Sequence, residues 1–297
     1  MGHHHHHHAD QFNFAYGLAV GLNLAFVIIE AFYALHANSA SLLADAGHNL
    51  GDVLGLAMSW GAMLLLKRQA TQKYSYGFKR TTILAALMNA IILVAATVLI
   101  VVESIHRLLH PVAVHEATVM IVAAVGIAIN GGTALLFMKG QHDDLNVKGA
   151  FLHLAYDAVI SLGVVITGAL VLWTQKTWLD PLVGLIIAAM ILWGTWSLLR
   201  NATDLILDAV PHNVDRQAVE NYLKNISGVS DMHHLHIWGL STQEVALTVH
   251  LIAPQGLSDQ ELHNVHLALE KEYHIHHATI QVEQGEKCQD DKTHHKH

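Results

Sequence analysis

SLLADAGHNLGDVLGLAMSWGAMLLL, residues 41–66, carries three ionisable side chains, Asp45, His48 and Asp52, and no lysine or arginine. About 20 apolar residues are enough for a helix to cross the hydrocarbon core. Ionisable groups inside such a helix are costly enough to mark a pathway or a relay. His48 and Asp52 stand four apart, so on a helix they share a face, with Cβ atoms about 5–6 Å apart. His153-Leu-Ala-Tyr-Asp157 repeats that spacing and order in a second apolar stretch. Two such pairs on facing helices bring two imidazoles and two carboxylates around one point, a set suited to a tetrahedral divalent metal such as zinc. One pair alone reads as readily as a hydrogen-bonded packing contact. Two pairs point to a metal or proton site, because each buried carboxylate otherwise needs its own compensation.

Outward from this stretch the chain stays apolar, at 53% hydrophobic and 13% charged residues. Six runs reach spanning length: Phe14–Leu35, Leu42–Leu66, Thr81–Val102, Ala117–Met138, Val147–Trp173 and Trp178–Leu199. The third and sixth lack the polar face of a soluble core helix, which argues against a large soluble helical protein. Lys67, Arg68, Lys73, Lys79 and Arg80 follow the second run, Lys139 and Lys148 flank the linker after the fourth, and Arg200 closes the sixth. The opposite linkers hold chiefly Arg107 and Lys176, so the positive-inside rule puts both termini in the cytoplasm. His3–His8 reads as a purification tag. No cleavable signal peptide is visible, and the first run is long enough to act as its own insertion signal.

From about Asn201 the composition changes. This part has 14 acidic and 6 basic residues, against 10 of each before it, so the formal charge of −8 belongs to the C-terminal region. An acidic domain is a poor ligand for nucleic acid or anionic lipid and a reasonable one for cations. Cys288 is the only cysteine, which excludes a disulfide framework or thiolate zinc cluster within one chain. Asn213–Ile226 has an amphipathic pattern with Asn213 as N-cap. Val229–Leu240 and Glu244–Ala253 read as strands, Ser258 with Glu261 as a capping box opening a second helix, and Ala278–Gln284 as a third strand. The expected domain is a small α+β layer with both helices on one sheet face. The expected organisation is a tag and tail over 1–10, a six-helix transmembrane domain over 11–200, a cytoplasmic domain over 201–284, and a disordered His- and Asp-bearing tail over 285–297. That tail, with Asp290, Asp291, His294, His295 and His297, is a weak metal holder at most.

Histidines crowd this domain. His233, His250 and His276 with Glu283 form a candidate second zinc site on neighbouring strands or their ends, although surface histidines without a ligand role are common. His250 and Glu283 fall on the polar side of their strands. His233 shares the parity of Leu235 and Ile237, so it must lie at a strand mouth to join them.

Taken together, the 41–52 stretch, His153–Asp157, His233-His-Leu-His-Ile-Trp238 and Ala278-Thr-Ile-Gln-Val-Glu283 resemble the cation diffusion facilitator family, in particular its bacterial zinc/cadmium efflux branch, related to animal zinc transporters. The likeness runs over nearly the whole chain. It implies a homodimer with one pathway per protomer and a metallochaperone-like cytoplasmic domain. It implies that His48, Asp52, His153 and Asp157 are the transport site and that His233, His250, His276 and Glu283 are ligands of the cytoplasmic site. Lys79 and Asp208 resemble a charge interlock between the membrane and soluble parts. Asp45, one turn before His48, is a candidate for the ion pathway or for support behind the ligands. Two features depart from relatives: Arg68–Tyr76 offers no Asp/His cluster, and Gly140–Asn146 replaces a long histidine-rich linker. His142, Asp143 and Asp144 there read as a solvated loop or as an attractor for ions. The short linker favours a bacterial inner-membrane protein.

The expectation is a secondary transporter, not an enzyme, that exports Zn2+ in exchange for protons, with membrane lipid as its surroundings and no nucleic-acid partner. Cd2+ or Co2+ as cargo of the same carrier is the nearest alternative, because two histidines disfavour manganese. A membrane-anchored metal sensor without transport is the alternative of another class, and it leaves the paired membrane motifs unexplained. An intramembrane metalloprotease is excluded by the lack of His-Glu-x-x-His.

Overall fold

The computed structural model describes residues 21, 23–138 and 145–285. The tag, the earlier part of the first expected span, the linker bearing His142, Asp143 and Asp144, and the tail from 286 onward lie outside the described residues. Six helices come first: α1 (Asn23–His36), α2 (Ala40–Leu66), α3 (Thr81–Leu109), α4 (Glu116–Phe137), α5 (Leu145–Thr174) and α6 (Leu179–Ile206). The five from α2 to α6 are long and apolar enough to cross a membrane. There follow α7 (Arg216–Lys224), β1 (Asp231–Gly239), β2 (Val245–Ile252), α8 (Asp259–Tyr273) and β3 (His277–Glu283). The fold is thus the expected helical membrane domain followed by an α+β domain. The chain divides into two compact units, Met1–Met58 with Met88–Leu198, and Ser59–Leu87 with Leu199–His297. The linker between α2 and α3 therefore groups with the C-terminal part.

In the first unit the core is made mostly of small and branched residues, among them Ala34, Leu42, Ala44, Ile100, Val119, Ala123, Ile160, Val164 and Ala188, with Phe26 the aromatic among them. Lipid offers no hydrophobic drive between helices, so close backbone approach through small residues takes its place. Gly47, Gly51 and Gly55 recur every fourth residue along α2. A Cβ on each would come within 2.6 Å of Ile100, 1.9 Å of Leu93 and 2.7 Å of Asn89, all on α3. This stripe seats α3 against the helix that carries His48 and Asp52.

The second unit holds a three-stranded sheet of order β1-β2-β3, antiparallel between β1 and β2 and parallel between β2 and β3. Val245, Leu247, Val249 and Leu251 of β2 enter one core with Val219 and Leu223 of α7 and Val265 and Leu269 of α8. Both helices therefore cover one sheet face. The capping box of Ser258 and Glu261 forms as expected. The N-cap of α7 is Asp215 rather than Asn213, because the Asp215 carboxylate accepts from the N–H groups of Gln217 (2.9 Å) and Ala218 (3.1 Å). Val214 N–H is already bonded to Pro211 O, and that turn precedes the helix.

The glycine stripe makes a prediction. Gly51→Val forces Leu93 out of its place and is expected to cost about 1–3 kcal/mol by overpacking. Gly61→Val, at a position with nothing within 4 Å of a new Cβ, is expected to leave stability nearly unchanged. Thermal unfolding of the two purified variants checks the difference.

Candidate metal centre

Helices α2 and α5 bring their i,i+4 pairs face to face. His48 Nε2 lies 3.3 Å from Asp157 Oδ1 and 3.7 Å from Asp52 Oδ2. His153 Nε2 lies 3.5 Å from Asp52 Oδ2 and 3.7 Å from Asp157 Oδ2. Nitrogen and oxygen thus alternate around a ring. A tetrahedral metal with bonds of about 2.0–2.1 Å separates neighbouring ligand atoms by about 3.3–3.4 Å, close to these edges. Ligand atoms of His48, Asp52 and Asp157 lie within 4.8 Å of one another. His48 Nε2, Asp52 Oδ2 and Asp157 Oδ1 are buried and have no hydrogen-bond donor or acceptor. Buried polar atoms are normally satisfied, so these atoms suit a cation between them. The donor set fits zinc.

Behind this ring the site is braced by groups that spacing alone did not single out. Asn49 donates to Glu30 Oε2 on α1 (3.0 Å), and Ser161 on α5 donates to Asp45 Oδ2 (2.8 Å). Asp45 therefore supports the contact between α2 and α5. Glu30 was missed, though a carboxylate within the apolar α1 run was itself a signal. Exposure across the ring is graded: the side chains of Asp157 and His48 are 5% and 17% exposed, those of Asp52 and His153 32% and 46%. Along α2 the residues before His48, including Ser39, Ala40, Leu42, Ala44 and Asp45, are fully buried. The buried side of the ring thus lies toward the Ser39 end of α2 and its more exposed side toward the Leu66 end.

The second centre lies on the sheet. His233 Nε2 and His250 Nδ1 donate to the two oxygens of Glu283, at 3.1 and 2.8 Å. Their ligand atoms lie within 4.8 Å of one another. The parity difficulty at His233 is resolved by a bulge, not by a strand mouth. His233 pairs with His250 but His236 with Thr248, with the irregularity between them, and His234 there adopts φ +52°. The extra residue turns His233 onto the face of His250 and brings the ring of His234 to within 5.0 and 5.3 Å of those two imidazoles. His276 is not brought to this group. It sits at the other end of β2, where its Nδ1 accepts the N–H of Val245 (3.3 Å). Seven strand steps separate Val245 from Ile252, the partner of Glu283, a span of about 23 Å.

Lys79 and Asp208 do not meet in this chain. Lys79 Nζ binds Glu244 and lies 2.9 Å from His277 Nε2, while Arg80 donates to Asp208 Oδ1 (2.6 Å). Adjacent basic residues on the linker are divided between two acidic partners. Although burial works against ionisation, the bonds from Lys79 and His277 hold the Glu244 carboxyl below its usual range.

The hydrogen bond from His233, assisted by His250, likewise holds Glu283 below its usual range. A depressed carboxyl contributes stability above its unfolded value of about 4.3, and that contribution is lost as pH falls through the lower folded value. The cytoplasmic domain is therefore expected to lose stability below about pH 4.3, and Glu283→Gln to flatten that part of the profile. Unfolding followed from pH 3 to 7 checks it.

Comparison with known proteins gives the family. Residues 18–207 match the cation efflux transmembrane domain, and residues 211–285 match the cytoplasmic domain of cation efflux proteins. The metal cation efflux system protein CzcD of Cupriavidus metallidurans is 32% identical over 268 residues, covering 90% of this chain and 85% of that protein. The zinc transporter ZitB of Escherichia coli is 32% identical over 268 residues, covering 89% and 85%. A cadmium, cobalt and zinc/H(+)-K(+) antiporter of Bacillus subtilis is 30% identical over 263 residues, covering 87% and 85%. This chain belongs to the cation efflux family, the cation diffusion facilitators.

Proposed function

We propose that this chain is a secondary transporter that exports divalent metal, zinc foremost, from the cytoplasm in exchange for protons. The alternating ring of His48, Asp52, His153 and Asp157 on two spanning helices is the observation that carries the reading. Ligands must be deprotonated to bind metal, so cation and protons compete for the same atoms. Imidazole titrates near neutral pH, so a site with two histidines can exchange one for the other under cellular conditions. The graded exposure fits a state open to the cytoplasm, given the basic residues that follow α2. Alternating access would then present the same ring to the outside. ZitB is named for zinc and the Bacillus relative for cadmium, cobalt and zinc. Two nitrogens and two oxygens suit all three metals and disfavour manganese, so cadmium and cobalt are proposed as further cargo.

In this reading the protein is a homodimer in a bacterial cytoplasmic membrane with both termini inside. His233, His250 and Glu283 would hold a regulatory metal in the cytoplasmic domain. His276, distant from them within the chain, has a ligand role only if another copy supplies it. The pairs of Lys79 with Glu244 and Arg80 with Asp208 take the place of the expected interlock.

Zinc uptake into proteoliposomes, with the His3–His8 tag removed, is the direct test. Asp157→Ala and Asp52→Ala should abolish flux while leaving folded protein, since each deletes a ligand and half of the compensating charge. Wild-type flux in Asp157→Ala would place the route elsewhere. His250→Ala should only weaken flux.

Proton exchange has its own readout. A pH-sensitive dye trapped in the vesicles should report proton movement opposite to zinc, faster when the receiving side is acid. Zinc flux without a dye response would replace the antiporter by a uniporter.

A further inference from the structure

The start of α2 is held from a distance. Asp180, in the first turn of α6 and 1% exposed, accepts four hydrogen bonds from it: from Ser39 Oγ (2.6 Å), Ser41 Oγ (2.6 Å), Ala40 N–H (2.6 Å) and Ser41 N–H (3.4 Å). Ser39 Oγ itself accepts from Leu42 N–H (3.1 Å) as a local cap. The carboxylate therefore meets both the orphan amides and the positive dipole end of a helix that already has its own cap. One turn along α6, Gly184 lies so close to Ala40 that a Cβ would stand 2.9 Å from its carbonyl carbon and oxygen and 3.1 Å from Ser104 Oγ of α3. His115 N–H, just before α4, donates to Ala37 O in the turn before α2 (3.0 Å). α6 thus holds the start of α2, the residue before α4 holds the turn that precedes it, and Ser104 of α3 stands beside Gly184. At the other end α2 has no comparable hold among the described residues, and Asp52 is partly exposed.

We propose that Asp180 is a positioning residue for transport: it latches the Ser39 end of α2 to α6 and so keeps His48 and Asp52 closed to the outer side. This rests on the export reading for its direction. Releasing metal outward requires α2 and α6 to part at this point, and the buried carboxylate with its four donors sets how readily they do. A second cap would be redundant for helix formation, since Ser39 supplies one. Its placement on another helix is what a latch requires.

The test measures accessibility without metal. In a Cys288→Ser background, Leu42→Cys places a thiol at a fully buried position one turn inside the seal. A membrane-impermeant thiol reagent is added to the outer face of intact cells. Asp180→Asn removes the charge and replaces one of the two accepting oxygens by an N–H donor. It should raise the labelling rate at least about tenfold, and Asp180→Glu should restore slow labelling. In inside-out vesicles the apparent KM for zinc should rise by less than about twofold while the outward-facing state stays the minor one, because the inward-facing fraction falls far less than the outward-facing one rises. If Asp180→Asn does not accumulate as folded protein, Ser39→Ala and Ser41→Ala each remove one donor and should label at intermediate rates. Unchanged labelling in the folded variants, whether transport is lost or kept, overturns the latch. Labelling that responds as expected while wild-type vesicles show no zinc flux would instead leave the latch and overturn the export reading.

Discussion

Two carboxylates cannot sit together among apolar helices without opposite charge between them, and most of the membrane unit is organised around that fact. Asp52 and Asp157 are kept apart by two imidazoles, each nitrogen lying between carboxylate oxygens at 3.3–3.7 Å. Moving ions out of water costs several kcal/mol each even after relaxation, so the ring needs either a divalent cation or protons. The same demand that makes the site expensive would suit it to exchange, because neutralising it by either route satisfies the same atoms. Rigid seating is then required on every side. The α2 glycines admit α3, Glu30 and Ser161 brace the neighbours of the ligands, and Asp180 fixes the end of the helix.

How far the sequence revealed this follows from distance along the chain. A spacing of four residues is a local fact, and the His48–Asp52 and His153–Asp157 pairs were legible because helical periodicity places such residues on one face. The spans were legible because hydropathy over about 20 residues decides membrane insertion. Glu30 with Asn49, Asp45 with Ser161 and Asp180 with Ser39 are single polar residues meeting across 19 to 141 positions. No periodicity records such meetings. The partner of Lys79 was obscured for a related reason: two basic residues stand side by side, and only the fold decides which acid each one meets.

The two candidate metal centres meet one problem in different surroundings. In the membrane unit the ring atoms of His48, Asp52 and Asp157 lack hydrogen bonds altogether. On the sheet, Glu283 is satisfied by two imidazole donors while still within reach of both. A cation held on the sheet would displace those bonds, whereas one held in the membrane unit would complete the coordination of under-satisfied atoms.

The bulge in β1 carries a further meaning. Before it, Met232 packs into the core and His233 faces its partner His250; after it, Ile237 packs into the core opposite Leu247. Core positions are even-numbered on one side of the irregularity and odd-numbered on the other. A single strand is thus written in two reading frames, one side for coordination chemistry and the other for packing. A change that removed the extra residue would act as a frameshift in the pleat, sending histidine into the oil and hydrocarbon into the water while leaving the composition almost untouched.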